Sequence, residues 1–171
     1  MNTHNLFDRS KGTWFKAEDW ETLTTGLPVY RGFSRPLTED KMTIYAPVNR
    51  QPKNIPVPAH HRIDAWFTQQ FGIPFRSRAV YGTGSLDKAQ EHAGEAGEVA
   101  LIRPNGDFSF CWSPNCYDLY GEYAMLDSDE QIEAMLEKLA FRAEALEQAI
   151  MSGYEIMLAA DSFTVERVCT I

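Results

Sequence analysis

The chain has 171 residues, 44% hydrophobic and 23% charged, enough for one domain that buries a core without disulfide or metal staples. Its formal net charge of −8 disfavours nonspecific binding to nucleic acid or an anionic membrane, although a local basic patch escapes that rule. No segment approaches the ~20 apolar residues of a membrane span, and the polar start Met1-Asn2-Thr3-His4-Asn5 gives no reason to expect a signal peptide, so a cytoplasmic setting, in a producing or a target cell, is expected.

Residues 1–12 are polar and are expected to form a flexible N-terminus. Trp14, Phe15, Trp20 and Leu23 recur at helical spacings until Gly26 and Pro28 stop the pattern. Residues 27–30 read as a short strand leading into Arg31-Gly32. Pro36, Pro47, Pro52, Pro56 and Pro58 make 34–58 a proline-rich loop excursion, with an extended stretch at 42–46. Such a loop after a candidate catalytic strand is either a substrate cover or a poorly ordered excursion.

Ile63, Trp66, Phe67 and Phe71 predict a helix over 59–71, ended by Gly72 and Pro74. Residues 75–81 predict a strand, with Arg76 and Arg78 alternating with Phe75 and Ser77. Gly82 and Gly84 break it, and Ser85 is placed to cap a helix over 86–93 with Asp87 in its first turn. Strands follow at 99–102 and 108–112, around a turn at Pro104-Asn105-Gly106-Asp107. Ser128 and Gln131 form a capping box before one long helix over 129–152. Its apolar face carries Ile132, Met135, Leu136, Leu139, Ala143, Leu146 and Ile150, and Gly153 ends it. Strands at 156–158 and 163–168, joined by Ala160-Asp161-Ser162, suggest a closing hairpin. Short strands among helices indicate a single α+β domain over 1–171.

Carboxylates concentrate in 118–155 and cations in 31–78, so an anionic ligand is expected near the first half. Cys111, Cys116 and Cys169 are odd in number and lack a fourth ligand, which excludes a disulfide framework and a zinc knuckle. His60 and His61, near Asp64, read as an exposed pair opening a helix, and no metal is expected. Cys111 has no adjacent histidine to make it a nucleophile and reads as a plain thiol.

Three polar signals remain, each at a candidate strand: Tyr30-Arg31-Gly32, Tyr81-Gly82-Thr83-Gly84-Ser85, and Tyr154-Glu155 followed by Ile156-Met157-Leu158. Their order and spacing resemble the Arg/Ser-Thr-Ser/Glu arrangement of ADP-ribosyltransferases, over residues 28–168. The resemblance implies a split mixed sheet with flanking helices and NAD as a substrate. It implies Arg31 on the NAD diphosphate or its adjoining ribose, Thr83 and Ser85 shaping the nicotinamide-ribose pocket, and Gly32 lining that pocket with its backbone. It makes Glu155 the catalytic residue, with Tyr81 and Tyr30 available to stack on a ring of the cofactor. The residue types suit that chemistry. A guanidinium fork holds phosphate oxygens, and a fixed carboxylate favours an oxocarbenium-like centre.

Two departures from the family pattern bear on function. Thr-Gly-Ser stands where Ser-Thr-Ser is usual, which suggests a looser backbone there. Gly153 stands where members that modify arginine carry Glu or Gln, so an arginine acceptor is disfavoured. The acceptor is then another macromolecular group, on protein or nucleic acid, and the small size suggests an effector-like or toxin-like unit. Each residue also has a plain role available: Arg31 in a surface ion pair, Ser85 as a helix cap, Glu155 at a solvated strand edge. The alternatives are therefore a non-enzymatic acidic interaction or inhibitor protein, or a catalytically degenerate nucleotide-binding member of the same fold.

Overall fold

The computed structural model describes residues 7–168, and within them the chain forms one α+β domain with two antiparallel sheets. The strands are β1 (Tyr30–Phe33), β2 (Lys41–Tyr45), β3 (Val80–Gly82), β4 (Glu98–Pro104), β5 (Ser109–Cys111), β6 (Ile156–Ala159) and β7 (Ser162–Arg167). One sheet has the order β1-β4-β7-β2 and the other β3-β6-β5. Every strand pair is antiparallel, so the mixed sheet expected from the resemblance is not what forms.

The helices are α1 (Trp20–Thr24), α2 (Val57–Phe71), α3 (Phe75–Arg78), α4 (Leu86–Ala93), α5 (Leu119–Ala124), α6 (Ile132–Leu139) and α7 (Leu146–Ser152). Strand β6 is the central layer, buried on both faces. Met157 and Ala159 face a core shared with α2, α3, α5 and α6. Ile156 and Leu158 face the other way, toward Val29, just before β1, and Ile102, Phe163 and Val165 of the four-stranded sheet. The period-two alternation of a strand thus divides one apolar run between two cores. In the helical core, Phe67 is fully buried among the rings of Trp66, Phe71, Phe75 and Phe141. Truncating it to alanine would cost about 3–5 kcal/mol.

Local signals account for several ends. Gly72 closes α2 in the left-handed conformation, its N–H donating to the Thr68 carbonyl. Ser85 accepts from the Lys88 N–H and caps α4. The Ser128 hydroxyl accepts from Glu130 N, while Gln131 reaches Asp127 N rather than closing a reciprocal box. Of the expected flexible N-terminus, residues 1–6 lie outside the described residues. Residues 7–12 are tied down by Phe7 against Trp14 and by Arg9 against Asp107 and Asp161. Cys169 also lies outside the described residues.

Several elements depart from the sequence reading. The helical run expected from Trp14 begins only at Ala17, with Phe15 paired to Phe108, and the strand expected at 27–30 forms at Tyr30–Phe33. Three changes are larger. Residues 75–78 are a helical turn, because the Asp64 carboxylate accepts from the N–H groups of Arg76 and Ser77 and caps it across space. The long helix is broken into α6 and α7 by Ala140 and Ala145, both at positive φ. Between them Arg142 exchanges backbone hydrogen bonds with Trp112, and the Trp112 indole donates to the Glu144 carbonyl. The closing hairpin is absent: β6 and β7 belong to different sheets, and Ala160 and Asp161 carry the chain from one to the other.

Candidate functional site

The two sheets are joined edge to edge at one point. Tyr30 N donates to the Thr83 carbonyl (2.7 Å) and Thr83 N to the Tyr30 carbonyl (2.9 Å). The Thr83 hydroxyl is buried, donates to the Gly153 carbonyl (2.8 Å) and accepts from Ser85 N (3.1 Å). One threonine therefore fastens together the three segments that carry Arg31, Ser85 and Glu155. The middle segment is not loose. A Cβ on Gly84 would lie 1.9 Å from the Ile150 carbonyl, so glycine there lets the end of α7 approach the backbone and bring residues 153–155 to the seam.

Arg31 points into this seam. Its Nη1 donates to the Tyr81 carbonyl (2.9 Å), and its Nε is buried without a partner among the described residues. Burial, and then the nearby charge of Arg50, pull the Arg31 pKa down to about 10, against partial support from Tyr81 and Glu155. Keeping this side chain charged at neutral pH costs roughly 3 kcal/mol.

Glu155 precedes β6 and accepts from Arg76 Nη1 at 3.2 Å, with 13% of the arginine side chain and 25% of the glutamate side chain exposed. Burial works against the Arg76 cation, but Tyr81 and Glu155 outweigh it, and its pKa is raised. Two guanidinium groups lie over the Tyr81 ring, Arg50 at 4.3 Å and Arg76 at 4.9 Å from the centroid. Burial pushes the Tyr81 phenol up, and its hydroxyl donates to the Arg76 carbonyl.

Arg50 comes from the proline-rich excursion, which packs onto the protein through Ala46 and Ile55. Its N–H donates to the Ser77 carbonyl (2.8 Å), and the His60 ring lies near its backbone, with His60 Nε2 buried and without a partner among the described residues. His60 is therefore buried at 5% exposure, not exposed as its place at a helix opening suggested, while His61 is exposed. Burial holds the His60 pKa below the ordinary imidazole range. The nearby Asp64 carboxylate is engaged by the N–H groups of Arg76 and Ser77 and by the Ser77 hydroxyl (2.5 Å). Neutral donors thus occupy the Asp64 carboxylate.

The remaining residues singled out from sequence take various positions. Gly32 sits in the β1–β4 ladder opposite Val99, and a Cβ there would lie 2.1 Å from the Ala89 carbonyl, so its bare face receives α4. Ser85 lies at the same seam as the cap of α4, and Lys88 from that helix reaches over the rings of Tyr117 (3.5 Å) and Tyr154 (5.3 Å). Cys111 and Cys116 are buried, and the Cys116 thiol is pushed up to about 12 by burial and by Glu155. Neither acts as a thiolate at neutral pH. Sequence reasoning missed Arg50 and His60, since a lone arginine among prolines carries no motif.

Two surface clefts lie elsewhere. One, of about 470 Å³, is bordered by Lys11, Thr68 and Phe71, and one of about 270 Å³ by Trp20, Leu27 and Arg103. Among the described residues, no cluster of three or more His, Cys, Asp or Glu could hold a metal ion, and no helix is long and apolar enough to cross a membrane. Compared with known proteins, the chain matches no family model, no curated protein and no solved structure.

Three guanidinium groups and one carboxylate thus share the seam around Tyr81. The arrangement suits an anionic ligand that also presents an electron-poor centre to a carboxylate.

Proposed function

We propose that the protein is an ADP-ribosyltransferase that moves ADP-ribose from NAD to a macromolecular acceptor, using an ADP-ribosyltransferase-like split fold. The observation that carries this reading is the Thr83 junction, which gathers Arg31, Ser85 and Glu155 from segments more than fifty residues apart. In this reading Arg31 binds the diphosphate and Tyr81 and Tyr30 border the cofactor. Ser85 lies at the nicotinamide ribose, and Thr83 holds the strands in place. Gly32 serves by letting α4 pack against β1.

The bond between the ribose anomeric carbon and the nicotinamide nitrogen breaks, and nicotinamide leaves with the electron pair. Glu155, fixed beside the sugar, favours the positive charge that develops on the ribose. The acceptor nucleophile then bonds to the anomeric carbon and releases its proton to solvent. Gly153 supports an acceptor other than arginine. Its φ of +72° disfavours any side chain there, and its carbonyl is committed to Thr83.

The test is incubation with NAD and candidate acceptors, protein and nucleic acid in turn, with release of nicotinamide measured. Glu155→Ala is expected to slow release about 100-fold or more. Absence of both nicotinamide release and NAD binding across those acceptors overturns the reading. The Arg76–Glu155 ion pair favours a second reading, a nucleotide-binding member of the same fold that does not turn NAD over. That reading requires NAD binding with no release of nicotinamide in the wild type.

A further inference from the structure

The proline-rich excursion brings a cation to the seam that no motif announced. Arg50 lies over the Tyr81 ring, close enough to Arg31 for its charge to disfavour the Arg31 cation. Two like charges at a partly buried site are held there against their repulsion. Here the backbone does the holding. The Arg50 N–H is fixed by the Ser77 carbonyl, and the buried ring of His60 lies beside the Arg50 backbone. Neither Arg31 nor Arg50 has a carboxylate within ion-pair distance among the described residues, because Glu155 pairs with Arg76 and Asp64 is occupied by neutral donors. After the Arg76–Glu155 pair is set aside, the charges of Arg31 and Arg50 remain unmatched among the described residues, and the buried Arg31 Nε has no acceptor among them. A ligand group with two adjacent negative charges matches that pattern, whereas a monoanion leaves one guanidinium unpaired.

We propose that Arg31 and Arg50 form a two-armed clamp for a diphosphate, with His60 as the positioning residue that fixes the second arm. The proposal rests on the NAD reading of the same site and deepens it. It assigns the 34–58 excursion a binding role and restricts the ligand to molecules that carry a diphosphate. Arg50 donates to the phosphate oxygens, and His60 acts only through the Arg50 backbone.

The experiment is calorimetric titration of the wild type, Arg50→Gln, Arg50→Lys and His60→Phe with three probes: ADP-ribose, nicotinamide mononucleotide and inorganic pyrophosphate. Urea unfolding of each variant checks that it folds. The clamp predicts that ADP-ribose binding weakens tenfold or more in Arg50→Gln, with partial rescue in Arg50→Lys. It predicts a smaller loss in His60→Phe, and wild-type binding of the mononucleotide much weaker than that of ADP-ribose. Wild-type affinity for ADP-ribose retained within twofold in a folded Arg50→Gln overturns the clamp and leaves the NAD reading standing. Arg50-dependent binding of pyrophosphate, with no binding of ADP-ribose and no release of nicotinamide from NAD, supports the clamp and removes the NAD reading. Failure of the wild type to bind any of the three probes overturns the clamp, and the nicotinamide assay then decides the NAD reading alone.

Discussion

Two arginine networks stand on the four-stranded sheet, and they are built in opposite ways. Near one end, Arg167 of β7 donates to Glu98 (2.7 Å), to Asp40 and to the Leu37 carbonyl (2.9 Å), so one cation serves two carboxylates. At the seam with the three-stranded sheet, Arg31, Arg50 and Arg76 gather around Tyr81, and the one carboxylate paired there among the described residues, Glu155, is taken by Arg76. The first network closes on itself and stitches the starts of β2 and β4 to the end of β7. The second leaves charge and donors over, and it is the more deeply buried of the two. Burial without charge balance is costly to stability, and such cost concentrates where a site is arranged for a ligand.

The comparison breaks most visibly at Arg31. Arg31→Met is expected to weaken ADP-ribose binding about 100-fold, roughly 3 kcal/mol, in a titration. The same change should leave the melting temperature within about 2 °C of wild type, because relief of the buried charge offsets the lost bond to the Tyr81 carbonyl. A large fall in melting temperature would instead make Arg31 a structural ion and remove the contrast. The seam also depends on a backbone approach that the Arg167 end does not need. Gly84→Ala must push the Ile150 carbonyl away and is expected to cost about 2 kcal/mol, a drop of roughly 4–8 °C in a thermal melt. An unchanged melt would mean that the loop there is as yielding as a Thr-Gly-Ser sequence suggests. Arg167→Met should lower the melting temperature only slightly, with the difference shrinking in about 0.5 M salt, as for an exposed network. ADP-ribose binding should be unaffected.

The legible part of the fold is the part fixed by neighbours in sequence. Ser85 caps its own helix and Gly72 ends its own, so both could be read from local chemistry. The breaks between α6 and α7 fall on Ala140 and Ala145, which carry no mark of positive φ; the distant Trp112 backbone fixes that turn. Likewise the 75–78 turn is capped by Asp64 from another helix, so alternation alone suggested a strand. The candidate site divides along the same line. Arg31, Ser85 and Glu155 were legible because each sits beside a strand with a recognisable context. Arg50 was not, because its place depends on the Ser77 carbonyl holding a loop by its backbone, beside the buried His60 ring. Thr83 was singled out for a ligand, yet its hydroxyl is spent on the protein itself, a division of roles that spacing cannot reveal.

The smallest expected effect tests the His60 support by pH. The groups facing this ring are Asp64, His61 and Arg76, together with the Arg50 backbone, and burial is the largest influence, favouring the neutral ring. The folded protein therefore takes up a proton at His60 only below the pH at which the unfolded chain does. Stability from keeping the ring neutral is full above the unfolded value of about 6.5 and is lost as the pH falls toward and through the lower folded value. Urea midpoints at pH 7.5 and 5.5 should differ more for the wild type than for His60→Gln, whose neutral amide does not titrate. Exposed carboxylates contribute equally to both proteins and cancel in the difference. If the two proteins lose stability in parallel, the imidazole is not held neutral by burial. Arg50 would then rest on Ser77 alone, and the seam would lose the support that sets its second cation apart from a surface arginine such as Arg167.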